Sequence, residues 1–468
     1  MPQGISALEQ AFAIQKAAFA KNPNPSKEDR VARLNAFMGM MMAGRDRLKA
    51  ALKEDFSCHP DLQADFMEIL ALVGRAQYNL SMLDEWMKPS PRDTDPVMQG
   101  NTQAYIQYQP KGVIGNMAPW NFPIVLALGP ACDMLAAGNH VIIKPSDLTP
   151  ATSQVMDELI SEHFDESVMT VIQGELPVAK HFPTLAWDHL LYTGNPEVAK
   201  SIATSAAQNL VPLTLELGGK SPAIFAPDAI NETAISNLLR VKMVKNGQMC
   251  VSPDYALVPR DQLLAFADIA REWVNTQGRD YVAGDSITGI INQRHFERIQ
   301  GMLDSARNTS AEIIQLTQDS RERRMAMSLV LNPPLDSELM RDEIFGPILP
   351  VVPYDSIEEA IDYINQNERP LGLYLYSQDD QVKRQVLNHT HSGGVTINGA
   401  AFQTTVPSLG FGGSGNSGYG RYNGIEGFRE FTNARGIVEF DKDALLVNVL
   451  PPYGATAQAI LDAALSAE

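Results

Sequence analysis

Two residues of types that cooperate in covalent catalysis stand 34 positions apart in the chain. Cys250 ends the segment Asn-Gly-Gln-Met-Cys, and Glu216 lies in the segment Leu-Glu-Leu-Gly-Gly-Lys. A thiol can attack an electrophilic carbon, and a carboxylate can deprotonate the thiol or activate water. The pair therefore indicates covalent chemistry on a carbonyl group. A buried structural cysteine is the ordinary alternative for an isolated Cys, and the polar, glycine-rich setting of both segments argues against it.

Four further short segments accompany this pair and are spread along most of the chain. They are Pro-Trp-Asn-Phe-Pro (119–123), Lys-Pro-Ser-Asp (144–147), Glu-Ile-Phe-Gly-Pro (343–347) and Phe-Gly-Gly-Ser-Gly-Asn-Ser-Gly (411–418). The six segments, in this order, resemble the motifs of the NAD(P)-dependent aldehyde dehydrogenase superfamily. One such segment could arise by chance, but six in the right order form a highly specific signal.

Composition is that of a large soluble enzyme, with 468 residues, 44% hydrophobic and 20% charged. The net charge of -18 argues against nucleic-acid binding, which depends on clustered Lys and Arg. Cys58, Cys132 and Cys250 are too few for a disulfide framework and lack zinc-site spacing, so we expect no metal and a reducing cytoplasm. Because neither a signal pattern nor a run of about 20 apolar residues is present, we expect no membrane span.

The periodicity of the sequence predicts an α/β fold with separate parts. Residues 6 to about 87 have helical periodicity, with Ser26 and Asp29 placed as a capping pair. From 113 to about 218, short apolar runs alternate with helix-length segments, which is typical of a doubly wound parallel sheet. The predicted parts are an NAD-binding domain (1–88 and 111–214), an α/β catalytic domain (215–410) and a small β oligomerisation arm (89–110 and 430–442).

The resemblance implies an atypical dinucleotide site, and no Gly-x-Gly-x-x-Gly follows a predicted strand. The corresponding turn begins at Gly194 and reads Gly-Asn-Pro-Glu-Val-Ala, which departs from the family's Gly-Ser-Thr-x-Val-Gly. Backbone N–H groups at the start of the following helix, near Pro196, would still favour an anion. We therefore expect a cofactor phosphate at this turn.

Six more residues are assigned to the cofactor by the resemblance: Trp120, Lys144, Ser146, Asp147, Glu343 and Phe345. Lys144 would hydrogen-bond the adenosine ribose, although a surface lysine is the ordinary alternative. Glu343 would hold the nicotinamide ribose, and Phe345 would pack near the ring. Asp147 would accept hydrogen bonds from ribose hydroxyls and repel a 2'-phosphate, so NAD is favoured over NADP, which stays possible.

Residue roles in catalysis follow from the same resemblance. Cys250 would attack the aldehyde carbon, and the side-chain amide of Asn121 with the backbone N–H of Cys250 would stabilise the resulting oxyanion. Hydride transfer to the nicotinamide would leave a thioester, and Glu216 would activate the water that hydrolyses it. Taken alone, Asn121 could be a turn residue and Glu216 a solvated acid.

Details of the sequence resemble the short, class 3 branch, and within it the bacterial coniferyl aldehyde dehydrogenase group. The substrate is accordingly expected to be an aromatic or long-chain aldehyde, with an apolar lining from Met117, Trp120, Met249 and Phe402 and no Arg or Lys for a carboxylate. A general fatty aldehyde dehydrogenase is the first alternative. A CoA-acylating dehydrogenase, a non-redox cysteine hydrolase and a binding protein on an inactive scaffold are more remote.

An oligomer is also implied by the resemblance. The strand predicted near residues 436–440 would join the sheet of a partner subunit in a homodimer.

Overall fold

The computed structural model describes residues 4–466, and its strands form three sheets. In chain order the strands are β1 (Ser90–Arg92), β2 (Gln103–Pro110), β3 (Val113–Met117), β4 (His140–Lys144), β5 (Met169–Val171), β6 (His189–Gly194), β7 (Leu213–Leu217), β8 (Pro222–Phe225), β9 (Tyr255–Pro259), β10 (Glu312–Gln315), β11 (Ser328–Leu331), β12 (Ile348–Tyr354), β13 (Gly372–Tyr376), β14 (Gly394–Ile397), β15 (Gly418–Tyr419) and β16 (Thr432–Glu439).

Helices precede, connect and follow these strands. In chain order they are α1 (Ile5–Lys21), α2 (Lys27–Ala43), α3 (Arg45–Phe56), α4 (Asp61–Ala64), α5 (Leu70–Trp86), α6 (Pro96–Gln99), α7 (Val125–Ala136), α8 (Pro150–His163), α9 (Leu176–His181), α10 (Pro196–Ala207), α11 (Glu232–Met243), α12 (Leu263–Trp273), α13 (Gln293–Arg307), α14 (Glu338–Arg341), α15 (Ile357–Gln366), α16 (Asp380–His389), α17 (Gly424–Glu430) and α18 (Ala455–Leu465). A π-helical turn, Asp65–Ile69, joins α4 to α5. The predicted capping pair is confirmed, because Ser26 and Asp29 form a reciprocal capping box at the start of α2.

The first sheet has six strands in the order β15-β7-β6-β3-β4-β5, and all neighbours except β15 and β7 are parallel. Alternate residues along its strands face opposite cores. Ile114, Val141 and Ile143 pack in one core with α2, α5, α7 and α8. Val113 and Ile142 pack in the other with α1, α9 and α10. Burial on both faces explains the continuous apolar runs and confirms the doubly wound parallel sheet.

The second sheet has seven strands in the order β10-β11-β12-β9-β8-β13-β14, and only β10 pairs antiparallel. Its inner strands are also buried on both faces. Phe225 packs in a core with α11 and α12, whereas Ile224 packs in another with α15 and α16. The strand β14 forms one edge of this sheet.

The third sheet is a small antiparallel one in the order β1-β2-β16. The strand β16 pairs with β2 along its whole length, from Thr432 opposite Pro110 to Glu439 opposite Gln103. The segment expected to join a partner therefore pairs with its own chain along one side, and β16 forms an edge of the sheet.

Strand β7, which carries Glu216, lies in the first sheet beside β6. The predicted domain boundary between residues 214 and 215 falls inside this strand. Leu213–Leu217 is one extended segment whose parallel pairing cannot be divided between two domains, and the chain leaves the sheet only at Gly218. The strand β15 later returns to this sheet, with Gly418 opposite Glu216.

The helices of residues 4–466 are too short or too polar to span a membrane.

Gly418 allows β15 to lie against β7, so we predict that Gly418→Ala destabilises the protein. Gly418 has φ of 123°, and a Cβ there would overlap with the carbonyl oxygen of Leu215. The backbone conformation alone, which is almost restricted to glycine, costs about 1–3 kcal/mol for alanine. The thermal midpoint should fall, as measured by calorimetry. The control Gly301→Ala lies on the exposed side of α13 with no atom within 4 Å, and it should raise the midpoint. An unchanged midpoint for Gly418→Ala would contradict this account.

Candidate active site

A cleft of about 570 Å³ opens at the carboxyl ends of the parallel strands β3, β6 and β7. Ligands of open α/β sheets bind at this edge. The second sheet contributes the segments around Cys250 and Glu343 to the opposite wall. Seven residues predicted from the sequence line this one cleft: Trp120, Asn121, Gly194, Glu216, Cys250, Glu343 and Phe345.

A second cleft of about 290 Å³ contains two other predicted residues, Ser146 and Asp147, together with Glu175. Asp147 and Glu175 are both exposed there. Lys144 is only 5% exposed and lines neither cleft, because its Nζ donates a hydrogen bond to the carbonyl oxygen of Pro145 (2.9 Å). That bond uses one of the three ammonium hydrogens, so Lys144 keeps two donors.

The loop that leads to Cys250 has an unusual backbone. Lys245, Asn246 and Gly247 have φ of 51°, 54° and 79°, and all three lie in the left-handed region. Gly247 is required there, because a Cβ would overlap with the carbonyl group of Gly346. Such strain persists at functional sites when surrounding contacts hold it. The loop can therefore lie directly against the segment that follows Glu343.

Gln248 holds this loop from inside. Its Nε2 donates to the carbonyl oxygens of Lys245 (2.8 Å) and Gly289 (2.9 Å), and its Oε1 accepts from the N–H of Ile291 (2.9 Å). The side chain is fully buried, and these three bonds satisfy its amide. The Asn-Gly-Gln sequence thus serves the loop conformation.

Asn121 lies between β3 and α7 and contacts the same loop. Its Nδ2 donates to the carbonyl oxygen of Gln248 (3.2 Å), and the side chain is buried. An amide nitrogen carries two hydrogens, so one remains available to a substrate oxygen. The structure therefore brings Asn121 beside the cysteine loop, as an oxyanion donor requires.

Cys250 is half-buried at the wall of the cleft. Burial, together with the nearby carboxyl groups of Glu343 and Glu216, raises the pKa of the Cys250 thiol to about 12. The free thiol is therefore protonated at neutral pH. A base must accept its proton when it reacts.

Glu216 is 2% exposed, and neither of its carboxyl oxygens has a hydrogen-bond partner among residues 4–466. Burial raises the pKa of Glu216 well above its usual value, and Arg421 offsets this only in part. An unpaired buried carboxyl group costs stability and marks a functional site or a ligand position. These properties suit a general base that works near neutral pH.

Glu343 packs against the Gly218–Gly219 turn at the end of β7, where a side chain on Gly218 would overlap with the carboxyl group. Burial and the neighbouring Asp254 raise the pKa of Glu343 to about 8. Next to it, the ring of Phe345 meets that of Trp120 edge-on at 5.3 Å. One wall of the cleft thus combines a buried carboxyl group with aromatic rings.

Several cleft residues escaped the sequence analysis, chiefly Lys220 and Arg298. Lys220 donates to the carbonyl oxygens of Leu339 (2.7 Å) and Asp342 (2.9 Å), and Arg298 donates to that of Ile344 (2.7 Å). These bonds hold the Glu343 segment in place. Lys220 ends a recognised motif, whereas Arg298 lies on α13 with no local pattern to mark it.

Of the four residues expected to line the cleft, only Trp120 does so. Met249 packs against a core of the second sheet, and Phe402 is exposed outside the cleft. Met117 packs in the core of the first sheet with α1, α9 and α10, because its side chain on β3 faces that core.

The expected absence of Arg and Lys is wrong, since Lys220, Arg298 and Arg341 line the cleft. The first two are held by protein carbonyl groups, as described above.

The start of α10 also differs from expectation. The side chain of Asn195 caps the helix by accepting from the N–H groups of Glu197 (2.8 Å) and Val198 (3.4 Å). These N–H groups are therefore already occupied, and an anion would have to displace the asparagine. Thr193 Oγ1 and one oxygen of Glu343 are buried at the cleft without a partner in the described chain, which fits a polar ligand there.

The potential metal ligands of residues 4–466 are dispersed. In that part of the chain, no three His, Cys, Asp or Glu side chains are grouped so that they could hold a metal ion.

Comparison with known proteins identifies the family. The sequence model of the aldehyde dehydrogenase family matches residues 4–437. A probable coniferyl aldehyde dehydrogenase of Pseudomonas aeruginosa is 38% identical over 98% of this chain and 96% of its own. The coniferyl aldehyde dehydrogenase of a Pseudomonas species is 35% identical over 100% of this chain and 98% of its own.

Solved structures agree in fold. A substrate-bound state of Staphylococcus aureus AldH has a TM-score of 0.92 and 32% identity, covering 97% of this chain and 99% of that one. A Mycobacterium tuberculosis aldehyde dehydrogenase complexed with NAD+ has a TM-score of 0.83 and 25% identity, and the match covers 93% of this chain and 90% of that one. The cleft with its cysteine, glutamate and asparagine thus sits on a shared scaffold, and the chain belongs to the aldehyde dehydrogenase family.

Proposed function

We propose that this aldehyde dehydrogenase oxidises aromatic aldehydes of the coniferyl type to carboxylic acids, with Cys250 as nucleophile and Glu216 as the base for hydrolysis. One observation carries the assignment of roles. A single cleft holds a half-buried thiol, a buried carboxyl group without a partner in the described chain, and an asparagine amide beside the thiol loop.

In the first half-reaction, the Cys250 sulfur forms a bond to the aldehyde carbon, and the carbonyl electron pair moves to oxygen. The thiol proton passes to the carboxylate form of a neighbouring acid. The two candidates are Glu216 and Glu343, whose proximity raises the thiol pKa. Asn121 Nδ2 and the backbone N–H of Cys250 stabilise the negative oxygen. One such donor is worth roughly 3–4 kcal/mol in other enzymes.

A nicotinamide cofactor, when bound, supplies the acceptor for the hydride that leaves this carbon. Glu343, Phe345 and Trp120 are the residues that would hold its reactive end. Gly194 and the second cleft, with Ser146 and Asp147, would hold the remainder, and Lys144 would donate one of its free ammonium hydrogens to the ribose. The unpartnered buried oxygen of Glu343 supports this assignment.

In the second half-reaction, Glu216 removes a proton from water, and the water oxygen attacks the thioester carbon. The carbon–sulfur bond then breaks, and Cys250 is regenerated as the acid leaves. A CoA-acylating enzyme would not need this base, and a non-redox hydrolase would have no use for Glu343 and Phe345. The buried Glu216 therefore favours hydrolysis after oxidation.

Aromatic aldehydes are supported as substrates by the cleft and by the relatives. Trp120, Leu126 and Phe411 give the cleft an apolar wall. The Pseudomonas relatives are named coniferyl aldehyde dehydrogenases. Medium- and long-chain aliphatic aldehydes are the second candidate, since they fit an apolar wall without requiring a ring.

For the cofactor we propose NAD in preference to NADP. Asp147 and Glu175 place two exposed carboxylates in the second cleft, where the adenosine ribose would lie. A 2'-phosphate there would face like charges.

A cytoplasmic homodimer completes the proposal. The three cysteines are free thiols, which suits a reducing compartment. The edge strands β14 and β16 offer backbone groups for pairing between subunits.

Replacing the base tests the proposed reaction. Glu216→Gln keeps the shape but removes the base, so we expect kcat to fall about 100-fold or more and the acyl-enzyme to accumulate on Cys250. Mass spectrometry after mixing with aldehyde and NAD would detect it. In the wild type, hydrolysis should quicken as pH rises through the raised pKa of Glu216, and this rise should vanish in the variant. Cys250→Ala, which lacks the nucleophile, is the control and should form no acyl-enzyme. Rapid turnover by Glu216→Gln would show that another residue is the base.

Cofactor preference tests the role of Asp147. We expect kcat/KM with NAD to exceed that with NADP about fivefold, since like charges at an exposed rim cost roughly 1 kcal/mol. Asp147→Ser should lower the ratio of kcat/KM with NAD to kcat/KM with NADP. The double variant Asp147→Ser/Glu175→Gln should lower it further. Asp336→Ser removes an exposed carboxylate outside both clefts and should leave the ratio unchanged. A wild-type preference for NADP would refute the assignment.

Substrate preference tests the apolar wall. Burying roughly 100 Å² more apolar surface at about 25 cal/mol per Å² contributes about 2.5 kcal/mol, so coniferyl aldehyde should exceed acetaldehyde roughly 70-fold in kcat/KM. Benzaldehyde and hexanal should fall between them. Leu126→Ala should lower kcat/KM for coniferyl aldehyde and leave that for acetaldehyde unchanged. Higher kcat/KM for acetaldehyde would overturn the proposal, and a preference for hexanal would favour aliphatic substrates.

A further inference from the structure

A buried ion pair lies behind the cysteine loop and has no part in the chemistry described above. Lys245 and Glu68 are both 0% exposed, and Lys245 Nζ lies 2.7 Å from Glu68 Oε1. The ammonium group also lies over the rings of Phe56 (4.4 Å) and Phe122 (4.8 Å). Two charges are thus withdrawn from water close to the active site, which is costly unless they are well paired.

Each oxygen of Glu68 holds a different segment of the active site. Oε1 takes the ammonium group of Lys245, five residues before Cys250. Oε2 accepts from the N–H of Ile124 (3.0 Å) and of Val125 (3.4 Å) at the start of α7, just after Asn121. One carboxylate therefore joins the cysteine loop to the segment that carries the asparagine.

The connection continues to the oxyanion donors through short hydrogen bonds. The carbonyl oxygen of Lys245 accepts from the side chain of Gln248 (2.8 Å), and the carbonyl oxygen of Gln248 accepts from Asn121 Nδ2 (3.2 Å). The N–H of Lys245 is held by Gln63 Oε1 (3.1 Å), which lies just before the π-helical turn. A continuous set of side-chain and backbone contacts thus joins Glu68 to Asn121 through Lys245 and Gln248.

No other charge nearby replaces Lys245 as the partner of Glu68. His59 Nε2 lies 4.0 Å from Glu68 Oε1, but burial and Lys245 lower the pKa of His59 to about 2. The imidazole is therefore neutral at working pH. Removal of Lys245 would leave Glu68 beside an imidazole whose protonation is opposed chiefly by its own burial.

We infer that the Lys245–Glu68 ion pair is a positioning device that sets Asn121 and the Cys250 N–H in register as the two oxyanion donors. This inference rests on the proposed roles of Asn121 and Cys250. Neither member of the pair touches substrate or cofactor, so both act through the loops that they join. A displacement of about 1 Å in such donors can cost on the order of 100-fold in rate.

The test measures single-turnover formation of NADH with enzyme in excess over coniferyl aldehyde. Lys245→Met and Glu68→Gln should each lower this rate constant at least 10-fold. The KM for NAD and the rate at which iodoacetamide alkylates Cys250 should stay within about twofold of wild type, since alkylation needs no oxyanion donor. A wild-type single-turnover rate in either variant would overturn the inference.

The double variant Lys245→Met/Glu68→Gln separates positioning from stability. With both charges removed, no unpaired charge remains buried, so the thermal midpoint should recover toward that of the wild type. The single-turnover rate should stay low, because methionine cannot tether the cysteine loop to residue 68. Recovery of the rate together with the midpoint would overturn the inference and assign the pair a purely structural role.

A matched control lies on the same π-helical turn. Asp65 forms an ion pair with Arg45, with Arg45 Nη2 2.6 Å from Asp65 Oδ2. Asp65→Asn breaks that pair without touching the cysteine loop, and it should lower the midpoint while leaving the single-turnover rate unchanged. A loss of rate equal to that of Lys245→Met would overturn the inference. Absence of NADH formation in the wild type would instead reject the proposed function itself.

Discussion

Burial of ionisable groups without full compensation is the constraint on which this active site depends. Cys250, Glu216 and Glu343 share one cleft, and burial raises the pKa of each. Oxygens of both carboxyl groups lack partners in the described chain, so the fold bears a desolvation cost at this place. In return, a carboxyl group with a raised pKa can exchange protons near neutral pH. A carboxyl group in water, at its usual pKa, is a weaker base and does this less well.

The rest of the protein provides the rigidity that this cost requires. Glu216 lies on β7, inside a parallel sheet covered on both faces, and Gly418 of β15 closes the sheet beside it. Cys250 follows a strained loop that is held by Gln248 from within and allowed by Gly247 against the Gly346 carbonyl. Sheet and loop come from distant parts of the chain, and their mutual position decides whether the thiol and the carboxyl group can cooperate.

The Lys245–Glu68 pair shows how such a position can be fixed with one carboxylate. Its two oxygens bind segments that are far apart in sequence, namely the cysteine loop and the start of α7. The rings of Phe56 and Phe122 next to the ammonium group exclude water and strengthen the attraction. Buried ion pairs contribute little net stability relative to apolar residues, so specificity of geometry is the role that suits this one.

Short motifs in the sequence determined the chemistry, the family and the parallel sheet, because residue types and periodicity are local properties. Cys250, Glu216 and Asn121 were recognisable in this way. Tertiary structure alone decided that β7 belongs to the first sheet, that Met117 faces the core, and that Asn195 occupies the N–H groups of α10. It also decided the pairing of Lys245 with a glutamate 177 positions away. Contacts at such separations depend on how sheets and helices pack, which no local pattern encodes.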